Sequence, residues 1–313
     1  MIVPRYYENL DVLHENTMSA RAYYIPASKR MDDLAERREM SDRIQFLNGV
    51  WKFKYYDSIY DVTEEFYRTD FDVSGYDTIK VPGVWQNAGY DCHQYTNIRY
   101  PFPFDPPYVP CDIPCGAYAY DFTYSKDEKA GRALLNFEGV DSCFYVWLNG
   151  KYVGYSQVPH CTDEFDVTDV IRAGSNRIAV LVLKWCDGSY LEDQDKFRMS
   201  GIFRDVYILK RPEQAIRDYR VATKTGKADS KVKIDVVFDG EVDTKVTLED
   251  MCGVVIAASA ISKNGSIEFK VSNPVLWNTE DPYLYRLIFE TEYETIVEYV
   301  CLLYTSDAAD DKA

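Results

Sequence analysis

At 313 residues, with 46% hydrophobic and 15% aromatic content, the chain is long enough for two or three packed domains. Its net charge of −16 argues against nucleic acid or an anionic membrane as partner and fits a neutral or cationic ligand. No apolar run approaches the roughly 18 residues a bilayer span needs, and Met1-Ile2-Val3-Pro4-Arg5 opens neither a basic n-region nor an apolar core, so the expected location is cytoplasmic.

Residues 1–46 are polar and irregular, with both charge signs crowded between Asp32 and Arg43; a short surface helix or an ordered N-terminal arm is expected. From Leu47 the pattern turns to strands. Asn48-Gly49 introduces Val50-Trp51-Lys52-Phe53-Lys54-Tyr55-Tyr56, which alternates as a half-buried strand does. The stretch from Asp91 to Pro114 differs in kind. Its prolines at 101, 103, 106, 107, 110 and 114 fix φ and remove donors, which predicts a stiff, extended loop able to present side chains to a ligand.

A hairpin is predicted from Ser142 to Tyr155, where Asn149-Gly150 between two strand-like runs favours the type I′ turn. Asn176 to Trp185 is nearly continuous in apolar residues and reads as a strand covered on both faces. Directly after it comes Cys186-Asp187-Gly188-Ser189-Tyr190-Leu191-Glu192-Asp193-Gln194-Asp195, which sets Glu192, Asp193 and Asp195 within four positions. Such a cluster is costly to hold unless something cationic or rich in hydroxyls meets it. Spacing alone leaves three readings open: a solvated loop face, a cation or ligand site, and a catalytic carboxylate pair. On an extended segment Asp193 and Asp195 would lie roughly 7 Å apart, wider than the about 5–5.5 Å of a retaining glycosidase pair. Arg198 and Arg204 are expected to neutralise the cluster.

Composition shifts at Lys210-Arg211-Pro212-Glu213-Gln214, and strand candidates follow at 216–222, 231–238, 244–248, 254–258, 266–271 and 283–289. Short strands at this spacing predict a small immunoglobulin-like sandwich. The tail from Cys301 to Ala313 continues no pattern and looks like translated sequencing-adapter read-through, which sequencing the source DNA past Val300 tests. The eight cysteines are dispersed and read as ordinary thiols, Cys111 and Cys115 included, and His14, His93 and His160 form no metal-type cluster. Trp85, Trp147 and Trp185 are expected in the core rather than as sugar platforms.

Several blocks together resemble the large cytosolic-type β-galactosidases of glycoside hydrolase family 2. They are Leu47 to Phe53 with Val81-Pro82-Gly83-Val84-Trp85-Gln86; Tyr95-Thr96-Asn97-Ile98-Arg99-Tyr100-Pro101 with Pro106-Pro107-Tyr108-Val109-Pro110; the hairpin with Glu164-Phe165-Asp166; Trp277 to Tyr285; and, most specific, the acidic run. Cys186 stands where a serine is common. The resemblance implies an all-β chain: a jelly-roll, galactose-binding-like sandwich over 47–212 and an immunoglobulin-like β-sandwich over 213–300, with the catalytic (β/α)8 barrel absent. That barrel would hold both catalytic glutamates, so no residue here inherits either role. Asn97 matches a loop asparagine that touches substrate, and Asp195 matches the aspartate that binds the galactosyl 6-hydroxyl and a sodium ion. Magnesium is implied for the longer enzyme, on ligands outside this chain. The implied activity is retaining hydrolysis of terminal non-reducing β-D-galactose residues in lactose-type β-galactosides, by a homotetramer that includes the missing barrel. Competing readings are a stand-alone carbohydrate-binding module and another family 2 glycosidase, a β-glucuronidase or β-mannosidase. The Asp187 to Asp195 run argues against the last two, since glucuronidases carry an asparagine- and aromatic-rich stretch there.

Overall fold

A computed structural model describes residues 2–96, 99–192, 195, 197–226 and 228–303, and the chain divides into two compact units. One comprises the chain up to Ala20, Gln45–Glu128 and Arg132–Lys210; the other comprises Arg21–Ile44, Lys129–Gly131 and the chain from Arg211 onward. The stretch 1–46, read from sequence as one arm, is thus shared between them. Helix among the described residues is confined to five short 3-10 turns, so the chain is all-β as expected.

In chain order the first set of strands is β1 (His14–Glu15), β2 (Ile44–Phe46), β3 (Gly49–Tyr56), β4 (Asp77–Val81), β5 (Gln94–Tyr95), β6 (Cys115–Tyr124), β7 (Arg132–Phe137), β8 (Val140–Asp141), β9 (Cys143–Leu148), β10 (Lys151–Gln157), β11 (Asp163–Asp166), β12 (Gly174–Leu183), β13 (Phe197–Arg198), β14 (Gly201–Ile202) and β15 (Val206–Arg211). A seven-stranded sheet runs β1-β10-β9-β12-β6-β3-β4, and a four-stranded sheet runs β11-β7-β15-β2. One face of the larger sheet contributes Trp51, Phe53, Tyr118, Phe144, Val146, Val180 and Val182 to a core shared with Leu135, Phe137, Phe165 and Ile208 of the smaller sheet. The opposite face presents Tyr145, Trp147, Leu181 and Leu183 to a second core, closed by Val3, Tyr7, Phe66, Phe102 and Tyr190. Burial on both faces explains why β9 and β12 read as unbroken apolar runs. The turn between β9 and β10 is the predicted Asn149-Gly150, with φ of 54° and 80°, the left-handed pair a type I′ turn requires.

The N-terminal segment belongs to this sandwich. Strand β1 pairs with β10 through His14 with Ser156 and Glu15 with Tyr155. Farther along, the Met18 N–H donates to the Glu164 carbonyl at 2.7 Å. Beneath it Ser156 Oγ lies 2.7 Å from His14 Nδ1 and donates to Asp163 Oδ1 at 2.5 Å. Burial pushes the Asp163 carboxyl up to about 7 from 3.8. The folded state therefore holds this proton more tightly than the unfolded chain does. That stability is fully present below pH 3.8 and is lost as pH rises through about 7. Burial lowers the pKa of His14, which acts in the opposite sense below its ordinary 6.5. Asp163→Asn isolates the carboxyl: relative to the parent, the variant should gain roughly 4 kcal/mol between pH 4 and pH 8 in urea unfolding. A constant difference across that range would refute the assignment.

The remaining strands are β16 (Ala215–Lys224), β17 (Asp229–Asp239), β18 (Thr244–Glu249), β19 (Val255–Ile261), β20 (Gly265–Ser272), β21 (Tyr285–Glu290) and β22 (Thr295–Val300). They form a three-stranded sheet, β16-β17-β20, and a four-stranded one, β19-β18-β21-β22. Strand β17, a strand candidate in the sequence, buries Val232, Ile234, Val236 and Phe238 while Lys231 and Lys233 face water, the alternation of a half-buried strand. Their core includes Val246, Leu248, Phe269, Leu287 and Phe289, and Tyr24 from the segment 21–44 is buried in it. Ala27 bridges to Thr295 at the start of β22. Among the described residues no helix is long and apolar enough to cross a membrane.

Candidate functional site

The loop after β4 and the acidic segment after β12 are far apart in sequence and adjacent in space. Strands β5 and β13 pair antiparallel, Tyr95 with Phe197 and Gln94 with Arg198. Asp195, two residues before β13, is exposed, and its Oδ1 accepts a hydrogen bond from the Tyr95 hydroxyl. The Tyr95 and Phe197 rings lie 5.9 Å apart, and His93 lies 6.0 Å from Phe197 on the same exposed edge. Asn97 and Asp193 lie outside the described residues; Tyr95, two positions before Asn97, is the nearest strand residue to it and touches Asp195.

Behind this ladder the support is polar and buried. Lys184, directly after β12, is ion-paired to Asp91 at 2.5 Å, with side chains only 6% and 10% exposed. The Gln86 side chain donates to Asp91 at 3.1 Å and accepts from the Ser200 N–H at 3.0 Å. The backbone Trp85 N–H donates to the Ser200 carbonyl at 2.9 Å, so one ion pair and two hydrogen bonds fasten residues 85–91 to the end of β12 and to the segment after β13, with the Gln86–Asp91 bond bracing the segment internally. This close passage requires Gly201, whose φ is 121° and whose added Cβ would meet the Gly83 carbonyl at 3.0 Å and Trp85 at 3.1 Å.

A narrow cleft here is lined by Asp141, Lys184, Trp185, Glu192, Arg198, Met199 and Ser200. Arg198 lies over the Trp185 ring, 5.7 Å from its centroid, and lines the cleft together with Glu192. Arg204 does not join it. Its guanidinium reaches the His160 carbonyl at 3.3 Å and lies over Phe203, because the backbone at 203–204 is turned by hydrogen bonds to Gly139. Trp85, Trp147 and Trp185 are all buried core residues, as expected.

Sequence reading missed three features. Tyr95 passes in sequence for an ordinary β-sheet tyrosine, and nothing local links Asp91 to Lys184, 93 positions away. Asp187, given no role in the sequence reading, is buried beside Gln157. Burial raises the Asp187 pKa, while the Gln157 side chain and the Gly188 and Asn9 backbone pull it down. The amide is near enough to ease the charge, yet among the described residues neither Asp187 oxygen nor the Gln157 amide completes a hydrogen bond of good geometry. Enclosed carboxylate and amide oxygens of this kind are donors that hard cations take. At the exposed edge, Asp195 fits a sodium ion as one oxygen ligand, since only one of its two oxygens is engaged by Tyr95. Among the described residues no three His, Cys, Asp or Glu side chains converge as a metal cluster, and every cysteine is free.

Comparison with known proteins gives consistent matches. Residues 44–212 match the description "Glycosyl hydrolases family 2, sugar binding domain", and residues 214–301 match "Glycosyl hydrolases family 2". The chain is 43% identical over 303 residues to a β-galactosidase of Actinobacillus pleuropneumoniae, covering 96% of this chain and 29% of that protein. It is also 43% identical over 304 residues to a β-galactosidase of Staphylococcus xylosus, covering 96% and 30%. The chain thus spans about 30% of the length of these relatives. Among solved structures, a β-glucuronidase of an uncultured Clostridium sp. aligns with a TM-score of 0.64 at 25% identity, over 83% of this chain and 44% of that one.

Proposed function

The chain belongs to glycosyl hydrolases family 2, and from that premise we propose that it is the N-terminal, substrate-shaping part of a retaining β-galactosidase. The observation that carries this reading is 43% identity to β-galactosidases along 96% of the chain. In this reading the reaction belongs to a barrel outside the chain, and the protein is cytoplasmic and homotetrameric when complete. Asp195 and Asn97 form the rim of the galactose pocket. A carboxylate accepts strongly from a sugar hydroxyl and ligates sodium, and an asparagine amide donates to one sugar oxygen while accepting from another. Magnesium, on ligands outside this chain, completes the cofactor set.

The β-glucuronidase alternative draws on the shared fold of the solved structures. Charge speaks against it: the exposed Asp195 carboxylate would repel the 6-carboxylate of a glucuronide, whereas the neutral 6-hydroxyl of galactose donates to it. A stand-alone sugar-binding module would instead bind galactose with no barrel present.

The purified 313-residue chain should show no hydrolysis of a nitrophenyl β-galactoside. In the longer gene product Asp195→Ala should lower kcat/KM for galactosides by about 100-fold, the loss of charge-assisted hydrogen bonds worth about 2–3 kcal/mol, and abolish sodium dependence. Turnover by the isolated chain, or an Asp195→Ala enzyme that keeps both rate and sodium response, would overturn the proposal.

A further inference from the structure

Two of the free thiols meet inside the first sandwich. Cys143 opens β9 and Cys186 follows β12; both are 0% exposed, and the Cys143 thiol is hydrogen-bonded to Cys186. The register explains the meeting. Leu183, the last residue of β12, lies opposite Cys143, and the Ser142 N–H donates to the Leu183 carbonyl at 3.0 Å. Three residues on, Cys186 caps the 3-10 turn Asp187–Tyr190. That turn lies against the start of β9, where the Ser142 and Ser189 hydroxyls are buried 3.1 Å apart. Contacts next to each cysteine thus hold the two sulfurs together.

A third buried thiol shows that this pairing is selective. Cys115 lies opposite Leu183 on the other side, so β12 stands between it and Cys143. Two strand spacings are about 9–10 Å, beyond the ~7 Å between Cα atoms that a disulfide bridges without backbone movement. Burial first, and then the Cys186 sulfur beside it, push the Cys143 thiol well above its ordinary value, and the Asp187 charge acts the same way. The enclosed pair is closed to bulky alkylating reagents, and a small oxidant can still enter as the fold breathes.

We propose that Cys143 and Cys186 are a latent disulfide, closed by hydrogen peroxide, which locks the turn leading into the acidic segment onto β9. One sulfur, as thiolate, attacks a peroxide oxygen; the O–O bond breaks, a sulfenic acid forms, and the released hydroxide takes up the thiol proton as water. The second sulfur then displaces hydroxide from the sulfenic acid, so the S–S bond forms and its own proton leaves in a second water. Two thiols and one peroxide give one disulfide and two waters. Because the second thiol is already in contact, ring closure outruns further oxidation of the first. The bridge encloses β10, β11 and β12 and anchors the turn from which Glu192 and Asp195 follow.

Peptide mapping of the 313-residue chain without reductant, after treatment with about 1 mM hydrogen peroxide, tests this. The Cys143 and Cys186 peptides should be recovered joined, about 2 Da lighter than their sum. The Tm of the first unit should rise by about 5–10 °C, and dithiothreitol should reverse both changes. Cys186→Ser keeps a small polar group at the cap; it should leave Cys143 unlinked and gain no Tm on oxidation. Cys143→Ala should give the same result from the other strand. Recovery of Cys143 and Cys186 unlinked while the exposed Cys92 is oxidised would overturn the inference. So would an equal rise in Tm in Cys186→Ser, or a linked pair with no rise at all.

Discussion

Replacing Glu294 with Gln should destabilise the second unit by about 3–5 kcal/mol, because it strands a buried guanidinium. Arg211 and Glu294 are 2% and 1% exposed and are joined by two hydrogen bonds, Nε to Oε2 at 3.0 Å and Nη2 to Oε1 at 2.8 Å. Arg211 also donates to the Tyr24 hydroxyl at 2.8 Å and to the Ile216 carbonyl at 2.7 Å. Burial by itself would lower the Arg211 pKa, but Glu294 and Tyr24 outweigh it and raise it. Gln keeps the shape of Glu294 and one acceptor but removes the charge that offsets this desolvation. The double replacement Arg211→Met with Glu294→Leu removes both charges and should recover most of the loss. Hydrogen exchange of the β21 and β22 amides reads the effect on this unit. A change below ~1 kcal/mol, the size of an exposed ion pair, would show that the pair is solvated.

Trp85→Ala should cost the first unit about 3–5 kcal/mol, with a fall in Tm of about 10 °C or more. The indole is fully buried, packs against Phe53 and Tyr55, and donates from Nε1 to the Tyr118 hydroxyl at 2.5 Å. Two glycines make room for it: a Cβ on Gly116 would come within 2.9 Å of its ring, and one on Gly201 within 3.1 Å. Truncation leaves a cavity and takes one of the partners of the buried Tyr118 hydroxyl, which keeps the Ile202 backbone. It also loosens the backbone ties from Trp85 to Ser200 and from Tyr90 to Trp85, which lead to Asp91 and so to the β5–β13 ladder. Order at Tyr95 and Asp195 should therefore decline together with stability, visible as faster amide exchange in β5 and β13. Retention of protection there would show that the ladder stands without its indole support.

The sequence was most legible where one strand carries one period. β17 alternates lysine and aliphatic residues, and the β9–β10 hairpin announces its turn with Asn149-Gly150. Strand β6 was harder to see. Cys115-Gly116-Ala117-Tyr118-Ala119-Tyr120 mixes small and aromatic residues because both faces are packed, and Gly116 is there to admit Phe53 and Trp85 rather than to mark a turn. Strand β1 is only two residues long, and its partner lies more than a hundred positions away, beyond the reach of local periodicity. At the site, the cluster around Asp195 was legible as a chemical oddity. Its holder, Tyr95, was not, since contact across such separation is a property of topology and not of composition. Asp187 drew no notice for a related reason: only packing shows which carboxylate of the run is enclosed.

The second sandwich takes its buried Tyr24 from a segment that precedes nearly all of the first in the chain. As the polypeptide leaves the ribosome, residues 21–44 emerge long before Arg211 and Glu294 exist, so this sandwich cannot close until its last strands have been made. The first sandwich has no such wait beyond β15. Vectorial synthesis thus imposes an order of assembly, and throughout it Tyr24 and Ile25 of the early segment wait without the core that buries them.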